Sequence, residues 1–262
     1  MSPSFPEVDY DQASSGEVAS AFFANGCVLL RNFLQEDKLF DIKGRLSSIY
    51  DETGAIQLFA PDLKQRMGSN IHEFLFGDRH YDLLEKIFRS HSYKAFQGTL
   101  ARRIQGFAGE PRWMAPLAPH LDAFFHRFEF TVNFWVPLQA CGGDPSSLGV
   151  IPGDFACMLE FTGYDGKAAE RGGPGKWNLG NFRPKMWEMN LKQDGAADEL
   201  FATFADRIWT PEYKLGDAML ISNWTMHFTH ANPVVTAAQR ENIELRFICD
   251  ASLDTILKEH SG

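Results

Sequence analysis

The chain has 262 residues, 44% of them hydrophobic, with 23 Phe, 6 Trp and a formal charge of −9. That is enough apolar side chain for a full core, and it reads as one domain over 1–262. Negative charge spread along the chain argues against a nucleic-acid surface and against charge-driven binding to anionic lipid. No apolar run approaches the roughly 20 residues of a membrane span, and "MSPSFPEVDYDQ" lacks the basic start and apolar stretch of a signal peptide. The expected setting is the cytoplasm and the expected partner a small molecule, with no nucleic acid, no membrane and no readable oligomeric state. Cys27, Cys141, Cys157 and Cys249 lie far apart with no CxxC pair, so they read as separate thiols.

In chain order, "SSGEVASAFFANG" predicts a helix with Ser and Glu at its start and Gly26 as its stop. "CVLLRNF" predicts a short buried strand. "LQEDKLFDIKGRLSSIY" predicts an amphipathic helix with Leu39, Ile42, Leu46 and Ile49 on one stripe. "SNIHEFLFGDRHYDLLEKIFRSHS" predicts one or two further helices. From about residue 94 the pattern turns to strands: "YKAFQGTLARRI", "RFEFTVNFWVPL", "SLGVIP", "DAMLIS" and "ENIELRFICD". Helices followed by strands give an α+β class. The segment 153–210 between the third and fourth of these strands carries Tyr164, Trp177, Phe182 and Trp187, and its length marks it as a candidate lid over an active site.

"LAPHLDAFFHRFEF" sets His120 and Asp122 two apart. In a strand, such residues project from one face. HxD alone is weak, and by itself a surface turn with a satisfied histidine is the favoured reading. A third ligand is offered downstream by "LGDAMLISNWTMHFTHANP", which carries His227 and, three residues on, His230. The spacing from Gly216 favours His227, with His230 beside the site or on the surface. Two histidines and one carboxylate form the facial triad of non-haem Fe(II), with three positions left open. They also suit Zn(II) and a bound water, as in a hydrolase, and a non-catalytic binding module is a third reading. Arg240 opens the next strand, "RENIELRF", where a guanidinium can grip a carboxylate bidentately. Arg246 has the same parity and is the reserve for that role. Of Arg102 and Arg103, adjacent on a strand, at most one faces the cavity. The remaining histidines, His72, His80, His91, His126 and His260, have no partner at ligand spacing and read as structural or solvated.

Together these residues resemble the phytanoyl-CoA dioxygenase family of Fe(II)/2-oxoglutarate oxygenases. The resemblance is carried by "GCVLLRNFL", the "HLD" motif, "NFWVPLQACGGDPSSLGVIPGDF" and "GDAMLISNWTMHFTHAN". It departs from the family in a slightly longer gap from His227 to Arg240 and in Phe155 where a histidine is usual. The resemblance implies a double-stranded β-helix, a jelly roll, with the N-terminal helices packed on it. It implies His120, Asp122 and His227 as ligands of Fe(II), Arg240 as the residue holding 2-oxoglutarate, and Thr229, Trp135 and Asn133 around that co-substrate. It also implies that dioxygen is consumed, with succinate and CO2 released and a C–H bond of a small organic substrate oxidised, hydroxylation being the default outcome. In 140–210, acidic side chains outnumber basic ones, which favours a largely apolar natural-product intermediate of secondary metabolism over a CoA ester.

Overall fold

The computed structural model describes residues 5–104, 119–124, 129–142, 145–153, 201–230 and 239–260. Strand β1 (Glu7–Asp9) leads to helix α1 (Ser15–Asn25), which Ser14 caps: its hydroxyl accepts from the Glu17 amide, and the Glu17 carboxylate accepts from the Ser14 amide. Gly26 ends the helix at φ 68° and turns the chain directly into β2 (Cys27–Arg31). A Cβ at Gly26 would lie 2.7 Å from the Gly153 carbonyl oxygen, so this corner needs glycine for its space as well as its backbone angle.

Helix α2 (Glu36–Thr53) buries the stripe Leu39, Ile42, Leu46 and Ile49. After β3 (Gln57–Phe59) come α3 (Ala60–Met67), α4 (Ile71–Leu75) and α5 (Asp78–Phe88), the last two replacing the one or two helices expected there. The strands follow: β4 (Tyr93–Ala95), β5 (Leu100–Ile104), β6 (Glu129–Pro137), β7 (Ser147–Ile151), β8 (Ala218–Ser222), β9 (Met226–His230) and β10 (Arg240–Ser252). Helix α6 (Leu253–His260) closes the described chain. No described helix is long and apolar enough to cross a membrane.

The large sheet runs β1-β2-β8-β6-β10-β5-β3, with β4 added beside β5 on β10, while β7 and β9 form a separate pair. Alternation along β6 and β10 sorts side chains between two faces. Phe130, Val132, Phe134 and Val136 of β6, with Ile243, Leu245 and Phe247 of β10, face outward into the core shared with the helices. There Phe134 stacks on Phe33 at 5.0 Å and meets Phe76 edge-on at 5.4 Å. The inward face packs against the small sheet: Cys27, Leu29, Trp135, Met219 and Ile221 share a second cluster with Leu148 and Val150 of β7. Two sheets facing across an inner layer, with helices on the outer face of the larger, make the expected α+β jelly roll.

Candidate metal centre

Strand β9 pairs antiparallel with β7, placing His227 opposite Val150 and Thr229 opposite Leu148. His227 and Thr229 therefore share a face and line a cavity of about 330 Å³. His230 has the opposite parity and does not line it.

His120 was expected on a strand with Asp122, and here the structure differs. His120 forms a single β-bridge to His227, each amide donating to the other residue's carbonyl at 3.0 and 3.1 Å, and Asp122 opens a 3-10 turn over Asp122–Phe124. The bridge sets the two imidazoles 4.2 Å apart at 54°. The turn is fixed by the Ala123 amide donating to the Asn223 carbonyl at 2.8 Å, and it swings the Asp122 carboxylate back to the pair. Asp122 Oδ1 lies 3.6 Å from His120 Nε2 and 3.8 Å from His227 Nε2, and one ligand atom from each of the three residues lies within 4.8 Å of the others. His227 Nδ1 is 2.9 Å from the Thr225 carbonyl oxygen. A carbonyl only accepts, so the proton sits on Nδ1 and the Nε2 lone pair is free for a metal. Two imidazole nitrogens and one carboxylate oxygen, all buried in one cavity, are a donor set that fits Fe(II).

The polar side chains of β10 line the same cavity. Arg240, Glu244 and Arg246 point inward by parity, with Asn242 buried among them. Arg240 is 2% exposed, and its guanidinium carbon sits 5.2 Å over the Trp135 ring. Its Nε and Nη1 have no hydrogen-bond partner among the described residues. Burial lowers its pKa from 12.5 to about 10, which leaves it cationic at neutral pH. A buried cation with unused donors facing a cavity fits an anionic guest. The side-chain oxygen of Asn133 is likewise buried and unpaired.

Arg246 is committed elsewhere. It donates to Asp122 Oδ2 at 3.0 Å, to Glu244 Oε2 at 2.6 Å and to the Gly98 carbonyl at 2.7 Å. Glu244 also has Arg102 at 3.7 Å. Burial disfavours the Glu244 carboxylate, but the two arginines outweigh it and lower its pKa. Arg102 lines the cavity with its Nε donating to Gln57 at 3.1 Å, whereas Arg103 turns to the outer face and pairs with Glu241 and Asp51.

The structure thus gathers His120, Asp122, His227, Asn133, Trp135, Thr229 and Arg240 around one cavity. It adds Glu244 and Gln57, which sequence reasoning missed. Glu244 had a readable signal: positions 240, 242, 244 and 246 of "RENIELRF" are all polar on one strand face. Three cysteines, Cys27, Cys141 and Cys249, are buried thiols whose pKa values burial raises, which makes them inert. His126, Cys157, Phe155 and the aromatics Tyr164, Trp177, Phe182 and Trp187 lie outside the described residues.

No family model and no curated protein matches the sequence. Solved structures do match in fold. The epimerase SnoN in complex with Fe3+, alpha ketoglutarate and nogalamycin RO aligns with a TM-score of 0.57 at 15% identity, over 89% of this chain and 83% of that one. A second structure, the non-heme alpha ketoglutarate dependent epimerase SnoN from nogalamycin biosynthesis, gives 0.56 at 16% identity, over 89% and 82%. The fold is shared. At this identity the likeness carries the architecture alone.

Proposed function

We propose that this protein is an Fe(II)/2-oxoglutarate-dependent oxygenase that oxidises, by default hydroxylates, a C–H bond of a small and largely apolar organic substrate of secondary metabolism. The observation that carries this reading is Arg240: a fully buried cation with donors unpaired among the described residues, in the same cavity as the His120, Asp122 and His227 cluster. Support comes also from the motif resemblance to the phytanoyl-CoA dioxygenases and from SnoN, a structural neighbour described as non-heme and alpha ketoglutarate dependent.

In this reading His120 Nε2, Asp122 Oδ1 and His227 Nε2 hold the iron. Arg240 takes the distal carboxylate of 2-oxoglutarate, with the Trp135 ring beneath it and Asn133 and Thr229 at its sides. Bound Fe(II) with 2-oxoglutarate supplies the coupling of dioxygen reduction and decarboxylation, giving succinate and CO2, to oxidation of the substrate. Phe59 and Phe96 wall the outer part of the cavity and present an apolar surface to a substrate, while Arg102 and Gln57 offer polar contacts there. The segment 153–210 is proposed as the lid over this mouth.

A zinc hydrolase fits less well. It needs a general base near the metal-bound water, and Glu244, the other carboxylate lining the described cavity, is paired with Arg246 and Arg102, which lower its pKa and make it a poor proton acceptor. It also leaves Arg240 without a task.

The test is anaerobic titration of Fe(II)-loaded protein with 2-oxoglutarate, followed by the visible charge-transfer band, then succinate release in air against a panel of apolar metabolites. A band that appears with the wild type and is lost in His227→Ala supports the reading. Absence of any 2-oxoglutarate-dependent band in metal-loaded wild type would refute it.

A further inference from the structure

We propose that Arg246 is a positioning residue of the metal centre, which occupies Oδ2 of Asp122 so that the carboxylate offers the ion Oδ1 alone. This rests on the reading of His120, Asp122 and His227 as metal ligands. Sequence reasoning gave Arg246 a different part, as the alternative grip on 2-oxoglutarate.

The geometry separates the two arginines. They lie on the same face of β10 and each keeps an unpaired Nε among the described residues, yet Nη1 of Arg240 is unpaired too, while both Nη atoms of Arg246 donate, to three acceptors in all. Arg246 Nη2 bridges Asp122 Oδ2 and Glu244 Oε2, and Nη1 is tied to the Gly98 carbonyl. Its backbone is pinned as well. The Arg246 amide donates to Thr99 Oγ1 at 3.0 Å, Thr99 Oγ1 is 3.1 Å from His72 Nε2, and the Phe96 amide donates to the Arg246 carbonyl at 2.9 Å. The turn between β4 and β5 therefore holds the arginine at both ends, which gives the guanidinium one fixed place.

The chemical consequence follows from charge-assisted hydrogen bonding. A carboxylate oxygen that accepts from a buried guanidinium has less electron density for a metal, and its lone pairs point away from the ion. Asp122 Oδ1 faces the two imidazoles and Oδ2 faces Arg246. One-oxygen ligation leaves an additional coordination position, which a site that must take a chelating keto acid together with dioxygen requires. Glu244 completes the arrangement. Its negative charge offsets that of Arg246, so the clamp does not cancel the attraction of Asp122 for a cation.

The experiment uses the full chain and Co(II) alone, reading affinity by competition with a chelator and ligation by the visible d–d spectrum. Arg246→Gln is expected to weaken Co(II) binding by about 10–100-fold, the loss of the fixed Asp122 orientation outweighing the second oxygen it frees, and to change the d–d bands as Oδ2 becomes free to ligate. Arg246→Lys, with one donor point where the fork was, is expected to fall between this variant and the wild type. Because Arg246→Gln takes from the buried Glu244 the closer of its two arginines, the double variant Arg246→Gln/Glu244→Gln is measured beside it and is expected to show the same Co(II) defect. Wild-type affinity and bands in Arg246→Lys and in the double variant, with Co(II) binding lost in Asp122→Ala, would overturn the proposal and leave the ligand assignment standing. Retained Co(II) binding in Asp122→Ala would overturn both.

Discussion

Replacing Arg240 by methionine is expected to move two quantities in opposite directions. The first is 2-oxoglutarate affinity. A charge-assisted contact to a carboxylate contributes about 1.5–3 kcal/mol, so the variant should bind the co-substrate roughly 10- to 150-fold more weakly while keeping its metal. The second is the stability of the ligand-free protein. Burial moves the Arg240 pKa from 12.5 to about 10, which corresponds to about 3 kcal/mol of disfavour for the charged form in the fold. Methionine removes that penalty and fills most of the volume. It forfeits the contact with the Trp135 ring, 5.2 Å from the guanidinium, of about 2 kcal/mol when desolvated. The net is a gain of about 1 kcal/mol, seen as a rise in Tm of about 2–4 °C for a chain of this size. The assays are thermal unfolding of the apo protein and anaerobic calorimetry of 2-oxoglutarate with the metal-loaded protein. A fall in apo Tm together with unchanged 2-oxoglutarate affinity would refute the reasoning, since it would mean that the guanidinium serves the fold and the co-substrate is held elsewhere.

His227→Ala is expected to abolish Fe(II) binding and His230→Ala to leave it within about twofold, because only His227 shares the cavity face with His120 and Asp122; an anaerobic metal titration of both variants decides, and the reverse result would reassign the ligand. Burial holds the His72 pKa down at about 4 against 6.5, so the histidine stays neutral in the fold while the unfolded chain takes up a proton as pH falls below 6.5. Stability should therefore drop between pH 6.5 and about 4, by up to about 3 kcal/mol, and urea denaturation at pH 7 and 4.5 should show a shallower drop in His72→Gln; identical pH dependence in the two proteins would rule out His72 as the cause. Phe134→Ala removes a ring packed between Phe33 and Phe76 and should cost about 3–5 kcal/mol, measured by the same denaturation. Wild type assayed in high chloride should give no chlorinated product if, as proposed, Asp122 ligates the iron and so fills the position a halide would need; mass spectrometry of the turnover mixture checks this.

Secondary structure was legible where an element carries a local signal, whereas β1, β3, α3, β9 and α6 were not read from the sequence. The Ser14 cap and Gly26 stop bound α1, and the period-2 run of β6 ends at Pro137. The candidate site was legible as a set of residues but not as a geometry. The His120 and Asp122 side chains converge because a bridge to β9 and a turn pinned by Asn223 bring them together, and both contacts come from a hundred residues or more down the chain, where no spacing rule reaches. The same holds for Arg246. Its parity placed it inside the barrel, but its partner Asp122 lies 124 residues away, and a single sequence contains no trace of that pairing. His230 was separable from His227 only once β9 was known to be a strand, since alternation then puts them on opposite faces.

Strands β6 and β10 carry their polar side chains on the inner face of the large sheet and their densest apolar packing on the outer face, against the helices. Folding and chemistry are in this way assigned to opposite sides of the same backbone. A residue such as Arg102 or Gln57 can be exchanged without disturbing Phe134 or Leu245, so the cavity is free to diverge toward new substrates while the scaffold persists. The same division has a cost for fragments of the chain. A version lacking α1 to α5 would present Phe130, Phe134, Ile243, Leu245 and Phe247 to water as one continuous oily surface, and its fate would be aggregation.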